Sequence, residues 1–235
     1  MPFEGALARD TVQNRDSVPN SNKAEKSMKL RGCHARITNV DSIEGFILVG
    51  GLSSRMGTDK ARLLVEGRTF VERIAGELAR VAQSVTLVGN DSKDLTLKLP
   101  SASDVYKVWG ALGGVHAAIS ACRSEWAMVV ACDLPFVTTS LFVRLASLRD
   151  EYEAVAPIQS DGRPQALCAL YRVAPCLNTA ETLINSRERR PIALLQSVRT
   201  RWVSFAELED LAGALRFFDN INTPQDYARI KQGRS

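Results

Sequence analysis

Short apolar runs recur along the chain, each cut off by glycine, asparagine or aspartate, and between them apolar positions repeat at helical spacing. Phe46-Ile47-Leu48-Val49 is unbroken, as a strand buried on both faces requires, and Gly50-Gly51 end it. Leu63-Leu64-Val65 reads as a short extended piece turning at Glu66-Gly67-Arg68. Thr69 is placed to cap a helix in which Phe70, Val71, Ile74, Leu78 and Val81 share one face through about residue 82. Residues 85–88 form a second strand, closed by Gly89-Asn90-Asp91. Strand, helix, strand in that order is a βαβ unit, which demands a parallel sheet.

The second half of the chain continues the alternation. A glycine-rich turn is expected over Gly110-Ala111-Leu112-Gly113-Gly114, followed by a short helix facing inward through Val115, Ala118, Ile119 and Cys122. Trp126-Ala127-Met128-Val129-Val130-Ala131 is the strongest strand, and Cys132-Asp133-Leu134-Pro135-Phe136 closes it. Thr138 or Thr139 caps a helix carrying Leu141, Phe142, Leu145 and Leu148. Residues 154–157 and 166–171 read as two strands around the turn Ser160-Asp161-Gly162-Arg163, and a helix follows over about 174–185. The basic stretch Arg187-Glu188-Arg189-Arg190 then opens a further helix at Pro191, and residues 202–205 suit a strand. Thr223 as cap and Pro224 in the first turn start a last helix.

Strands alternating with helices predict an α/β fold: a three-layer, Rossmann-like arrangement with a mostly parallel central sheet, forming one domain over residues 41–235. Residues 1–40 are polar and aperiodic and are expected to be a disordered extension. Met28, shortly before the first strand, offers an alternative start of translation. Seven Lys/Arg against four Asp/Glu in this extension account for three of the four excess positive charges, so the rest is near neutral and nucleic acid is not an expected partner. No run approaches the ~18 apolar residues of a membrane span, and no secretory signal is apparent. Five cysteines without a CxxC pair argue against a disulfide framework or a zinc site and for the cytoplasm. Two histidines exclude a multi-histidine metal centre.

The stretch GFILVGGLSSRMGTDK carries the first candidate chemistry. A buried strand ending in a glycine-rich loop with Arg55 and Lys60 brings backbone N–H groups and cations together, which is how phosphates are cradled. The spacing matches neither the P-loop, since Thr58-Asp59-Lys60 follow Gly57, nor GxGxxG, which Gly50-Gly51-Leu52 breaks. Loops at 50–60, 110–114 and 132–136 all follow or flank strand ends, where ligands of such sheets bind. One nucleoside triphosphate site built from these loops is expected.

LVGGLSSRMGTDKARL resembles the opening motif of the molybdenum cofactor guanylyltransferases, the MobA-like nucleotidyltransferases. The resemblance continues in GALGG (110–114), ACDLPF (131–136), Gly-Arg-Pro (162–164) and NINTPQDY (220–227), covering about residues 43–231. It implies transfer of GMP from GTP to molybdopterin with release of pyrophosphate. By that resemblance Leu48, Val49, Gly50 and Gly51 bring backbone to the nucleotide, and Arg55 and Lys60 neutralise triphosphate charge. Asp133 holds Mg²⁺ and contacts GTP. Asp104 matches a second nucleotide-site acid once a gap is opened before Gly110. Asn90 reads either as a base or ribose contact or as a turn asparagine. Asn220 and Asn222 match an end motif lining the pterin side, while Arg163, Arg189 and Arg190 are either phosphate contacts or solvated surface. The resemblance also implies contacts with other molybdenum-cofactor synthesis proteins or molybdoenzyme chaperones.

Two positions depart from the family pattern: Val49 stands where alanine is common, adding bulk beside the presumed base site, and Ala111 stands where proline is common. The rival readings are a CTP-using cytidylyltransferase, for molybdopterin or a sugar-alcohol phosphate, and a catalytically silent nucleotide-binding regulator. Gly50-Gly51 and Asp59-Lys60 favour GTP over the first. Arg55, Lys60 and Asp133 together argue against the second.

Overall fold

The computed structural model describes residues 42–49, 63–89, 97–103, 106, 109–221 and 225–228. A seven-stranded sheet forms its centre. In chain order the elements are β1 (Ile43–Leu48), β2 (Leu64–Val65), β3 (Arg68–Thr69), α1 (Phe70–Leu78), β4 (Val85–Val88), β5 (Ser101–Ala102), α2 (Ala111–Ala121) and β6 (Trp126–Ala131). There follow α3 (Thr139–Ser147), β7 (Ala154–Pro157), β8 (Cys168–Arg172), α4 (Val173–Asn185), α5 (Pro191–Ser197) and β9 (Thr200–Val203). Two 3₁₀ turns, Phe205–Glu207 and Ala214–Arg216, come after β9.

The sheet order is β5-β4-β1-β6-β8-β7-β9. Pairs β5–β4, β4–β1, β1–β6 and β7–β9 are parallel, whereas β8 runs antiparallel to both neighbours. The mostly parallel sheet read from the alternation is present, with β8 as its one reversed strand. Central strands are apolar on both faces because both faces are covered. Ile43, Ile47, Trp126, Met128 and Val130 pack on one side against Val71, Ile74 and Leu78 of α1 and Leu141, Phe142 and Leu145 of α3. Phe46, Leu48, Ala127 and Val129 pack on the other against Leu112, Val115 and Ile119 of α2, Ala180 of α4 and Leu194 of α5. Each fully buried Ile, Leu or Phe in these layers contributes about 1.5–3 kcal/mol.

Local signals set several boundaries. Thr69 accepts a hydrogen bond from the Glu72 N–H at 3.1 Å while the Glu72 carboxylate accepts from the Thr69 N–H at 2.7 Å, a reciprocal cap worth about 1 kcal/mol. Glu66 and Gly67, both at positive φ, make the tight turn of the β2–β3 hairpin. Of the two candidate threonines, Thr138 caps α3 and Thr139 is its first residue.

Three expectations need correction, and one strand was not expected. α1 ends at Leu78, and Val81 is buried in the turn beyond it. The glycine-rich segment is not a turn throughout: Gly110 alone has positive φ, and Ala111 to Gly114 already lie in α2, where missing side chains let the helix approach Leu48. The last strand is Thr200–Val203, earlier than expected, and Phe205 opens a 3₁₀ turn. A two-residue strand, Ser101–Ala102, pairs with β4 although nothing in its polar sequence announces it. The expected extension over 1–40 lies outside the described residues.

Candidate functional site

Three parallel strands end level with one another. Leu48 at the end of β1 is in register with Val88 of β4 and Ala131 of β6, so Val49, Gly89 and Cys132 emerge side by side. Backbone hydrogen bonds carry this alignment past the strands: the Val49 N–H donates to the Val88 carbonyl at 2.8 Å and the Cys132 N–H to the Leu48 carbonyl at 3.1 Å. The chain leaves β1 for β4 on one side and reaches β6 on the other. This is a topological switch point, where open α/β sheets hold ligands.

Gly89 is required where it stands. Its φ is 131°, and a Cβ there would lie 1.7 Å from the Val49 carbonyl oxygen. The two backbones can pass this closely only without a side chain. The Val49 side chain itself is 2% exposed and packs among Ile47, Val71 and Ile74. The bulk expected beside a base therefore sits in the core, and what Val49 brings to the sheet edge is backbone.

Asp133, half-buried, is the second residue past β6. Its carbonyl accepts from the Ile221 N–H at 3.3 Å, which ties residues 220 and 221 to the end of β6. Asn220 is thereby brought next to Asp133 along the backbone. Val65, Phe70 and Ile221, with Leu63, Phe136 and Tyr227 against them, form a small cluster that fixes this junction. The Arg216 guanidinium lies 3.8 Å over the Phe136 ring and pins the same segment from the other side.

A cavity of about 600 Å³ opens beside this junction. β7 and β9 run in the direction of β6, so the turn after Pro157 and the segment after Val203 leave the sheet at the same edge as Asp133. The turn contributes Gln159, Asp161 and Arg163 to the cavity; the later segment contributes Phe205, Leu215, Phe218 and Asn220. Arg163 is paired with Asp161 at 2.6 Å, and its guanidinium holds the Asp161 carboxyl below its ordinary value. Arg189 and Arg190 are not among the cavity-lining residues; they lie on the α4–α5 connection, and the Arg190 guanidinium meets the Glu188 carboxylate at 2.7 Å.

Of the residues singled out by sequence, the structure brings Leu48, Val49, Asp133 and Asn220 to one edge. Gly50, Gly51, Arg55, Lys60, Asn90, Asp104 and Asn222 lie outside the described residues. The aromatic and acidic lining of the cavity went unassigned, although the Phe217-Phe218 pair beside the Asn220 motif was a usable signal. Cys122, Cys168 and Cys176 are no nucleophiles, since burial pushes each thiol up to about 12.

Among the described residues no group of three or more His, Cys, Asp or Glu side chains could hold a metal ion. A small hard cation asks for less: one or two carboxylates, with the substrate's phosphate oxygens completing its shell. A single half-buried carboxylate two residues past a strand end, as at Asp133, fits that donor set. No helix among the described residues is long and apolar enough to cross a membrane.

With this geometry the comparisons with known proteins agree. A family model described as a MobA-like NTP transferase domain matches residues 45–200. The chain is 30% identical over 202 residues to the molybdenum cofactor guanylyltransferase of Desulfosudis oleivorans, with 83% of this chain and 99% of that one covered. A solved structure of molybdopterin-guanine dinucleotide biosynthesis protein A from Archaeoglobus fulgidus superposes with a TM-score of 0.68 at 23% identity, covering 80% of this chain and 97% of that one. The 2-C-methyl-D-erythritol 4-phosphate cytidylyltransferase of Thermus thermophilus also superposes, at a TM-score of 0.57 and 16% identity over 81% and 98% of the two chains. These two structural likenesses establish the fold, and a fold shared so widely leaves the choice of nucleotide to the site.

Proposed function

The chain belongs to the MobA-like NTP transferase family, and on that premise we propose that it transfers GMP from GTP to the phosphate of molybdopterin and releases pyrophosphate. The observation that carries the reading is the placement of Asp133 between the aligned ends of β1, β4 and β6 and the cavity beside Asn220. One side suits a nucleotide and the other an acceptor. A carboxylate stands between them.

In the reaction an oxygen of the acceptor phosphate attacks the α-phosphorus of GTP. A P–O bond forms there, the bond from the α-phosphorus to the α,β-bridging oxygen breaks, and that oxygen leaves with the pyrophosphate. Such a transfer needs in-line positioning and neutralisation of charge more than covalent help. The backbone of Leu48 to Gly51 lies along the nucleotide, with Asn90 and Asp104 as further contacts. Arg55 and Lys60 offset charge on the triphosphate and on the leaving pyrophosphate. Asp133 would hold Mg²⁺, which supplies charge neutralisation at the phosphate oxygens when bound. In the cavity, Phe205 and Phe218 offer apolar walls to a flat heterocycle, while Gln159, Asp161 and Asn220 offer polar groups to its edge; Asn222 is a further contact to the acceptor in this reading. The cytoplasm, where GTP is supplied, is the compartment we assign.

The test is pyrophosphate release from the protein incubated with Mg²⁺, molybdopterin and each nucleoside triphosphate in turn. Turnover with GTP is expected. Turnover with CTP alone would overturn the guanylyl assignment, and none with any nucleotide would leave a silent nucleotide binder.

A further inference from the structure

Trp109 stands immediately before Gly110, whose φ of 78° starts α2 at the sheet edge. Its indole N–H does not serve its own segment. It donates to the Glu188 carbonyl at 2.8 Å, across 79 residues of chain, on the connection between α4 and α5. The Arg189 guanidinium lies 5.1 Å above the centre of the same indole, close enough for a cation–π contact. One side chain thus holds the connection by a carbonyl and by the cation of the next residue.

The surroundings stiffen both partners. Tyr106 packs against Trp109 at 6.4 Å and sets its edge on the buried His116 of α2 at 4.8 Å. His116 faces Ser120 on its own helix at 3.5 Å and Glu181 of α4 at 3.7 Å. On the connection, the Glu188 carboxylate accepts from the Arg189 and Arg190 N–H groups at 2.8 and 2.9 Å and from the Arg190 guanidinium at 3.0 and 2.7 Å. These donors, the Arg190 guanidinium first, hold the Glu188 carboxyl down at about 2. Arg187 takes a left-handed φ of 66°, so the connection bends sharply between two fixed ends. Three exposed guanidinium groups, those of Arg187, Arg189 and Arg190, are carried on this clamped loop with one carboxylate among them.

We propose that Trp109 is a positioning residue: it locks the arginine connection of residues 187–190 to the Gly110 turn, so that the guanidinium groups stand ready for the phosphate of the acceptor. The proposal rests on the nucleotidyl-transfer reading above. It gives Arg189 and Arg190, which sequence left between phosphate contact and solvated surface, a fixed place beside the start of α2. Neither Gly110 nor the connection has another long-range side-chain tie of this kind among the described hydrogen bonds.

Trp109→Phe tests it by keeping a ring for packing and for Arg189 while removing the N–H that reaches Glu188. Hydrogen exchange is expected to speed up in both residues 110–114 and residues 187–190, with the melting temperature of the whole protein nearly unchanged. Faster exchange confined to one of the two segments would overturn the coupling. In steady-state assays the KM for molybdopterin should rise roughly five- to tenfold while the KM for GTP and kcat stay within twofold. A uniform fall in kcat alongside a lowered melting temperature, or no change in any constant, would overturn the positioning role. If the wild-type protein turns over no nucleotide, the functional reading fails, yet the exchange experiment still decides the coupling.

Discussion

The sheet has two halves that build the candidate site in different ways. In β5-β4-β1-β6 every strand is parallel, and the site residues come straight off strand ends held in register by backbone hydrogen bonds. In β8-β7-β9 the reversed β8 turns the chain back, and the cavity wall is made of a hairpin turn and the segment around two 3₁₀ turns. The first half fixes atoms by register, so a change there meets backbone that cannot give. The second fixes a shape by side-chain packing, which tolerates variation at a cost in affinity. Chemistry that must not move belongs on the first half, and recognition of a particular acceptor on the second.

Asp133 is the sharpest test of that division. Asp133→Asn keeps the size of the side chain but removes its charge, and kcat is expected to fall roughly 10²–10³-fold, the range found when a transition-state electrostatic contact is lost. The melting temperature should move by no more than about 2 °C, less than a loss of 1 kcal/mol produces in a domain this size. A variant with full activity would place the reaction's charge stabilisation elsewhere and dissolve the distinction between the halves.

Gly89→Ala probes register instead of charge. The new methyl would meet the Val49 carbonyl at 1.7 Å in a backbone conformation that L-residues avoid. The expected loss is about 3 kcal/mol, from strain and overpacking together, read as a lower midpoint in urea unfolding. Stability within a few tenths of a kcal/mol of wild type would mean that the ends of β1 and β4 adjust freely, against the rigidity argued for this half.

The same contrast explains what could be read from the chain alone. Central strands such as Trp126–Ala131 announce themselves because both faces are buried and every residue is apolar, which leaves no alternative element of that length. The place of Asp133 just past a strand end was legible because it follows such a strand. Gly110 was legible as a turn, but Gly113 and Gly114 looked like its continuation; their helical state depends on α2 packing against Leu48, a tertiary effect that propensity opposes. Residues 204–221 have no period at all, since 3₁₀ turns are short and their side chains answer to neighbours from β7 and β6. Trp109 falls in the same class: nothing local to it foretells a partner at Glu188.

Tyr227 offers the smallest and most pointed test, because it ties the segment that follows the cavity wall to the β2–β3 hairpin. Its hydroxyl donates to the Leu64 carbonyl at 2.7 Å and accepts from the Leu64 N–H at 3.3 Å, holding the hairpin strand four residues beyond Lys60. Its ring stays against Phe70 at 6.4 Å whether or not the hydroxyl is present. Leu64 is half exposed, so water replaces the lost partner and Tyr227→Phe should cost only about 1 kcal/mol, or roughly 2–4 °C in melting temperature. If the carboxyl-terminal segment steadies the strand that follows the proposed nucleotide loop, GTP affinity measured by calorimetry should fall about threefold, a shift of ~0.6 kcal/mol. An unchanged affinity with the expected drop in melting temperature would show that the carboxyl-terminal segment and the hairpin share a scaffold but not a binding event.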